Sequence, residues 1–67
     1  MIIITVNKKK HSFPQSLTLL EMLNQLDIVQ NGIAVAINNT IIQKSKWSQT
    51  TLSNTDALLI IKATQGG

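Results

Sequence analysis

The segment SLTLLEMLNQLDIVQNG, residues 16–32, carries the strongest secondary-structure signal in the chain. Its large apolar residues recur at the spacing i, i+3, i+4 and i+7, as Leu19, Met22, Leu23 and Leu26. This spacing places them on one face of an α-helix. A helix with one apolar face must pack that face against other apolar surface. The segment therefore predicts a helix that covers one face of a sheet.

The same segment contains signals for both ends of the helix. Thr18 is followed three residues later by Glu21, which is the spacing of a capping box. In that motif the hydroxyl accepts from the N3 amide, and the carboxylate accepts from the cap amide. Asn31-Gly32 follows the apolar pattern and tolerates the left-handed conformation that ends many helices. We predict a helix from about residue 18 to residue 27.

Five short segments around the helix are rich in β-branched residues or alternate in side-chain size, as strands do. In chain order they read MIIITVN, HSF, IAVAIN, TIIQ and ALLIIKA. KKK and Asn38-Asn39 read as the turns of two hairpins. ALLIIKA is apolar on both faces, which is typical of a central strand, and KSKWSQTTLSNTD predicts an irregular crossover anchored by Trp47. The order β-β-α-β-β-β predicts an α+β fold, a mixed sheet of about five strands with one main helix packed on one face.

The bulk properties predict one small globular domain. The chain has 67 residues, of which 43% are hydrophobic and 13% charged, with a net charge of +3. This composition is too apolar and too weakly charged for a disordered chain. We expect a folded domain over residues 1–63 and a flexible tail over residues 64–67. No apolar run approaches the ~20 residues that span a bilayer, and no charge precedes the first apolar stretch as in a signal peptide, so we expect a cytoplasmic protein without membrane contact.

Metal binding and catalysis have little support among the residues present. The chain has no cysteine, so it offers neither a disulfide nor a thiol ligand. His11 is the only histidine, beside three carboxylates, and it reads as a strand surface residue rather than a general base. Gly32 is the only glycine before the end of the chain, so no phosphate-binding loop is present. We predict no metal site and no catalytic residue.

The basic residues give weak support for nucleic-acid binding. The isoelectric point is near 9.7, but the six basic residues are all lysine, whereas base readout and bidentate phosphate contacts favour arginine. Lys8, Lys9 and Lys10 read as a solvated hairpin turn that discourages edge-to-edge pairing, with steering toward an acidic partner as the alternative. Trp47 reads as a core residue, with a partner hot spot as the alternative.

The chain closes with KATQGG, residues 62–67. Gly66 and Gly67 have no Cβ atom, so this end is thin and conformationally permissive. A terminal carboxyl group, with a reference pKa of about 3.3–3.7, is an ionised oxygen nucleophile at neutral pH. Such an end can enter the active site of another protein, with Thr64 and Gln65 as the spacer between sheet and reactive group. We predict Gly67, with Gly66, as the functional site.

The last strand also predicts a docking surface. If Leu58 and Ile60 face the helix, the alternate side chains of the strand face outward beside the small residues of IAVAIN. The predicted exposed patch consists of Leu59, Ile61, Ala34 and Ala36. An apolar patch next to a reactive tail is typical of a partner-binding surface. The alternative is that both faces of a central strand are partly buried.

These features together resemble the ThiS family, the small sulfur carrier proteins of thiamin biosynthesis, which have the β-grasp or ubiquitin-like fold. The resemblance is carried by the starting strand and by TLLEMLNQL, AVAINNTII, KSKW and NTDALLIIKATQGG. Two segments depart from the family pattern. Asn54-Thr55-Asp56 stands where the family often has an acidic-Gly-acidic turn, and ATQ forms a spacer that the family varies. The first departure concerns turn geometry more than chemistry.

The resemblance implies a series of reactions at Gly67 and no bound cofactor. A ThiF-type, E1-like adenylating enzyme converts the carboxylate to an acyl adenylate with ATP. Sulfur from a cysteine desulfurase or another donor then gives a thiocarboxylate, 1-thioglycine. A ThiG-type thiazole synthase takes this sulfur into the thiazole ring of thiamin. The resemblance thus implies a carrier that is the substrate of its partners and a monomer when free, not an enzyme.

Two alternatives stand beside this interpretation. Molybdopterin-type sulfur carriers and ubiquitin-like protein modifiers share the fold and the diglycine end, although they usually run longer. A non-reactive binding module, for example for nucleic acid, would not need Gly66 and Gly67 and would bind less tightly as salt rises. Phe13 and Trp47 are the only aromatic residues in the sequence that could stack on bases, so this module ranks below the carrier.

Overall fold

The computed structural model describes residues 1–62 of the chain. Within them, strands and one α-helix follow the predicted order β-β-α-β-β-β. The elements are β1 (Ile2–Val6), β2 (Lys9–Phe13), α1 (Leu19–Gln25), β3 (Ile33–Ile37), β4 (Thr40–Ile42) and β5 (Ala57–Lys62). The polar crossover before β5 is more regular than predicted, because Lys44–Gln49 forms a 3₁₀ helix.

The sheet is mixed, with the strand order β2-β1-β5-β3-β4. β1 and β5 are parallel, whereas the other neighbouring pairs are antiparallel. β5 therefore occupies the centre of the sheet, which confirms the position predicted from its two apolar faces. The α+β fold class, with one main helix on a mixed five-stranded sheet, is likewise confirmed.

The start of α1 matches the predicted capping box. Thr18 Oγ1 accepts a hydrogen bond from the Glu21 N–H at 3.2 Å, and Glu21 Oε1 accepts one from the Thr18 N–H at 2.8 Å. Two amide groups that would otherwise lack partners at the helix start are thereby bonded.

The end of α1 comes earlier than predicted, at Gln25. Asp27 adopts the left-handed conformation, with φ of 57°. Its N–H donates to the Asn24 carbonyl at 3.2 Å, and the Ile28 N–H donates to the Leu23 carbonyl at 3.0 Å. These two bonds form a Schellman motif, which satisfies the last carbonyls of a helix. The left-handed residue that ends the helix is thus Asp27, and not the Asn-Gly pair further along the chain.

Both hairpins turn on two consecutive residues with positive φ. Asn38 and Asn39 have φ of 49° and 72°, so the predicted Asn-Asn turn is confirmed, in the conformation that suits a two-residue hairpin. The first turn differs from the prediction, because Asn7 and Lys8 form it, with φ of 50° and 72°. The remaining lysines of KKK belong to β2. Asparagine tolerates positive φ better than lysine does, which places the turn earlier than KKK.

The core lies between α1 and one face of the sheet. Leu19, Met22 and Leu23 from the apolar face of the helix are fully buried, and Leu26 packs against the same cluster. The strands contribute buried side chains to this cluster, namely Ile4, Val6, Phe13, Val35 and Leu58. The helix face predicted from the spacing of its leucines is therefore the face that the sheet covers.

Trp47 belongs to this core. Its side chain is 2% exposed, and its indole N–H donates to the Ile42 carbonyl at 3.0 Å. This confirms the core interpretation of Trp47, since an indole buried and bonded in this way has little surface to offer a partner. His11 differs from the prediction, because it pairs with the fully buried Ile4 and is half-buried on the helix side of the sheet.

Candidate functional site

β5 is the element that leads toward the predicted reactive end of the chain. It lies between β1 and β3 and ends at Lys62, so hydrogen bonds to neighbours on both sides fix its direction. The predicted tail residues follow β5 in sequence and lie outside the described residues: Thr64, Gln65, Gly66 and Gly67. Their roles stay predictions, whereas the strand before them can be described.

The side chains of β5 alternate between the core and the outer face of the sheet. Leu58 is 3% exposed and faces the helix, whereas Leu59 and Ile61 are 48% and 46% exposed. Ile60 is half-buried and packs against the core. The alternation is therefore the predicted one, and two large apolar side chains face away from the helix.

β3 contributes the small residues of the predicted patch. Ala34 pairs with Ile61 and Ala36 pairs with Leu59, so the four residues lie together on the outer face. Ala36 is only 6% exposed, because it lies between Leu59 on β5 and Ile41 on β4. Ala36 therefore forms the floor of the patch and adds little to its exposed surface, in contrast to the prediction.

Two further exposed apolar side chains lie on this face of the sheet, one beside the predicted patch and one set apart from Leu59 by Thr5 and Ala57. Ile41 of β4 is 61% exposed and Ile3 of β1 is 42% exposed. Ile41 pairs with Ala36, and Ile3 lies two residues before Thr5, which pairs with Ala57, so both belong to the outer face. The segments MIII and TII are apolar at consecutive positions, so no alternation reveals which side chains face outward. We call the whole set the outer apolar face: Leu59, Ile61, Ala34, Ala36, Ile3 and Ile41.

Positive charge borders the outer apolar face. Lys10 pairs with Thr5 and therefore projects from the same face of the sheet. Lys8 in the adjoining turn lines, together with Leu59, an open cleft of about 360 Å³. The nearby carboxylate of Asp56 already accepts two hydrogen bonds from neighbouring groups. The face thus favours a partner surface that is apolar in the centre and acidic at the border.

The main exposed feature of residues 1–62 is the apolar outer face of the sheet. Residues 1–62 bring together no group of three side chains that could hold a metal ion, and His11 lies on the opposite face of the sheet from Leu59. No helix in this range is both long and apolar enough to pass through a membrane. The outer apolar face can bury apolar area against a partner, which contributes roughly 25 cal/mol per Å².

Sequence comparisons place the chain beside known sulfur carriers. The sequence profile of the ThiS family matches residues 2–67. The chain is 38% identical over 50 residues to the sulfur carrier protein ThiS of Escherichia coli (strain K12). The matched region covers 75% of this chain and 76% of that relative.

Solved structures agree with the sequence comparison. The crystal structure of the thiamine biosynthesis protein ThiS from Geobacter metallireducens matches with a TM-score of 0.87 at 26% identity, covering 98% of this chain and 100% of that one. The NMR solution structure of a thiamine biosynthesis protein from the same organism gives a TM-score of 0.76 at 26% identity, covering 98% and 88%. The mixed sheet with one helix is thus the predicted β-grasp fold.

Proposed function

The chain belongs to the ThiS family, and we propose that Gly67 is the residue on which it carries sulfur for thiamin biosynthesis. Membership makes the protein a sulfur carrier rather than an enzyme. The observation that most supports Gly67 as the working end is the exposure of Leu59 and Ile61 on the strand that leads toward it. A surface suited to docking then lies on the strand that precedes, in sequence, the end suited to reaction.

In the proposed reaction, the Gly67 carboxylate is activated and then converted to a thiocarboxylate. One carboxylate oxygen attacks the α-phosphorus of ATP on a ThiF-type, E1-like enzyme, and pyrophosphate leaves. Sulfide displaces AMP at the acyl carbon and leaves 1-thioglycine directly. A persulfide supplied by a cysteine desulfurase displaces AMP to give an acyl disulfide, and a thiol reductant then cleaves its S–S bond, which leaves 1-thioglycine and a new disulfide. A ThiG-type thiazole synthase then receives the sulfur. Since ATP and all three enzymes must be available to the carrier, we propose the cytoplasm as its location.

The tail sequence suits a reaction inside another protein. β5 ends at Lys62, and the five residues beyond it reach at most about 17 Å when extended. In the proposed complex, Thr64 and Gln65 span the distance to the enzyme, and Gly66 and Gly67 occupy the narrowest part of its channel because they have no Cβ. The carboxylate thus reaches a buried ATP while the folded domain stays at the surface.

We propose the outer apolar face as the surface that docks on the adenylating enzyme. Leu59 and Ile61 are each about half exposed, and burying the remaining half contributes roughly 1 kcal/mol per side chain before other costs. A contribution of this size is typical of a transient complex, which a carrier needs because it must leave one enzyme for the next. In this proposal the free carrier is a monomer whose outer face stays available.

Mass spectrometry of the intact protein tests the proposal. The chain is incubated with ATP, the cognate ThiF-type enzyme and a sulfur source. We expect a gain in mass equal to the replacement of one oxygen by sulfur, and fragmentation should place it at Gly67. An unchanged mass, while the same enzyme converts an established ThiS protein, would contradict the proposal.

A variant with one bulky residue added after Gly67 is the matched control. It keeps the folded domain and the outer apolar face, but its end is too wide for the proposed channel. We expect neither a mass gain nor rescue of a thiamin auxotroph by this variant. If it supports thiazole formation without being trimmed, the thin terminal carboxylate is not the working group.

A further inference from the structure

β5 extends beyond its parallel neighbour. The β1–β5 pairing includes only Thr5↔Ala57 and Val6↔Leu58, because β1 ends at Val6 and the chain turns there. β5 continues to Lys62. The last residues of the strand that leads to the tail therefore need another partner on this side for their backbone groups.

The side chain of Asn7 takes the place of the missing strand. The Ile60 N–H donates to Asn7 Oδ1 at 2.8 Å, and Asn7 Nδ2 donates to the Ile60 carbonyl at 3.4 Å. The backbone N–H of Asn7 also donates to the Leu58 carbonyl at 2.9 Å. A carboxamide offers one acceptor and a donor group, as a peptide unit does, so one side chain bonds both polar backbone groups of Ile60. We call this contact the Asn7–Ile60 clamp.

The hairpin turn places Asn7 where the clamp can form. Asn7 is the first residue of the two-residue turn and has φ of 50°, which asparagine tolerates better than most residues. The turn folds back beside β5 instead of continuing along it, so on the β1 side of β5 a side chain has to reach the strand beyond Leu58. The clamp holds β5 two residues before the strand ends at Lys62.

Asn38 makes a comparable contact at the other end of β5. It is the first residue of the second hairpin turn, with φ of 49°. Its Oδ1 accepts from the Ala57 N–H at 3.0 Å, and its own N–H donates to the Ala57 carbonyl at 2.8 Å. Two asparagines in equivalent turns therefore bind the backbone of one strand. Only Asn7 does so beside the end that leads to Gly67.

We propose that Asn7 is a positioning residue, which fixes the point where the chain leaves the sheet to enter the adenylating enzyme. The inference rests on the proposed function. With the Asn7–Ile60 clamp, the end of β5 is bonded on both sides, to Asn7 and to β3, which pairs with it as far as Lys62. Without the clamp, β3 alone holds β5 beyond Leu58, so the end of the strand opens more often and more backbone freedom is lost when the carboxylate enters the active site. The loss weakens binding of the carrier but does not change the reaction of a carrier already bound.

Three variants of the whole chain test the proposal: Asn7→Gly, Asn38→Gly and Asn7→Asp. Glycine adopts positive φ freely, so both glycine variants remove a side chain without straining the turn. Aspartate keeps the Oδ1 acceptor for the Ile60 N–H but cannot donate to its carbonyl. Amide hydrogen exchange is followed at Ile60 and Ala57. The KM and kcat for the carrier are measured by ATP–pyrophosphate exchange on the ThiF-type enzyme.

We expect Asn7→Gly to raise the exchange rate of the Ile60 amide about fivefold, the equivalent of one lost hydrogen bond. The KM for the carrier should rise by a similar factor, with kcat unchanged. Asn38→Gly should accelerate exchange at Ala57 and leave KM at the parent value. Asn7→Asp should restore most of the Ile60 protection and most of the KM.

Three results would overturn the inference: an unchanged Ile60 exchange rate in Asn7→Gly, a parent-like KM despite faster exchange, or an equal rise of KM in Asn38→Gly. Failure of the proposed function gives a different result, because the parent chain would then support no pyrophosphate exchange at all. Protection of the Ile60 amide would persist in that case.

Discussion

Thr55 is a residue whose backbone conformation fits its side chain poorly. Its φ of 74° lies in the left-handed region, where a β-branched residue is an outlier. The Thr55 N–H donates to the Ile3 carbonyl at 2.8 Å, and Asn54 Oδ1 accepts from the Ile3 N–H at 2.8 Å. These bonds join the turn to β1 just before β5 begins. The hydrogen bonds to β1 therefore offset the unfavourable backbone conformation of Thr55.

We expect Thr55→Gly to stabilise the protein. Loss of the Cβ removes the cost of the left-handed conformation, which is about 1–2 kcal/mol. The greater conformational freedom of glycine in the unfolded chain offsets about 0.5–1 kcal/mol of this gain. A net gain of about 0.5–1 kcal/mol raises the Tm by roughly 2–8 °C in a domain of this size, measured by calorimetry. Thr55→Ala is the control, since it keeps the Cβ and should gain little. Equal gains in both variants would show that backbone strain is not the cause.

α1 has an acidic residue near each end, and the two have opposite effects on the helix. Glu21 lies in the first turn and completes the capping box, where the positive end of the helix dipole favours its charge. Asp27 follows the other end, where the dipole disfavours a negative charge, and the last turn contains no basic residue to offset it. The left-handed φ of 57° at this position favours either aspartate or asparagine, so it does not explain why the residue is charged.

Neutralising the two carboxylates should change stability in opposite directions. Asp27→Asn keeps a side chain that tolerates the left-handed conformation, and we expect it to raise the free energy of unfolding by about 0.3–1 kcal/mol. Glu21→Gln keeps an oxygen acceptor for the capping box but loses the charge, and we expect a decrease of similar size. Urea unfolding at low ionic strength measures both changes, which should shrink in about 1 M salt. Changes of the same sign would contradict this account.

The ends of these elements show which parts of the fold can be predicted from sequence. The start of α1 depends on Thr18 and Glu21, which lie within one turn and can be recognised locally. The end of α1 depends on Ile28 packing against the core, and no local pattern selects Asp27 over the later Asn-Gly pair. The first hairpin turn begins at Asn7 because asparagine tolerates positive φ. The three consecutive lysines that follow are a more conspicuous polar stretch, and they suggested a later turn.

The candidate site divides in the same way. The outward side chains of β5 could be predicted because β3 alternates large and small residues, which shows which face is packed. Ile3 and Ile41 were missed because their neighbours in sequence are equally apolar. The Asn7–Ile60 clamp joins residues 53 positions apart, a separation that local sequence patterns do not cover.

The protein leaves large apolar side chains exposed although a chain of 67 residues buries too little surface to be very stable. On the outer apolar face, Leu59 and Ile61 lie next to each other on β5, and Ala36 of β3 lies between Leu59 and Ile41 of β4. Val29 is even more exposed, at 72%, but it lies in the loop between α1 and β3. A contiguous apolar surface indicates a partner, whereas a single exposed side chain needs no explanation. The two cases give a direct test of what the sheet surface does.

Leu59→Thr and Ile61→Thr should weaken binding to the ThiF-type enzyme with little loss of stability. Threonine suits a strand, and a surface substitution changes the free energy of unfolding by about 0.5 kcal/mol. Each parent side chain has about half its area left to bury, which contributes roughly 1 kcal/mol on docking. Each Kd should therefore rise about fivefold, measured by calorimetric titration.

Val29→Thr is the matched control for this comparison, because it also replaces an exposed apolar side chain by threonine but lies outside the sheet. Its Kd should equal that of the parent chain, since the proposed interface includes only the outer apolar face. If Val29→Thr weakens binding as much as Leu59→Thr does, general surface hydrophobicity holds the complex together. If neither sheet variant changes the Kd, the tail alone supplies the affinity, and the exposure of Leu59 and Ile61 requires another partner.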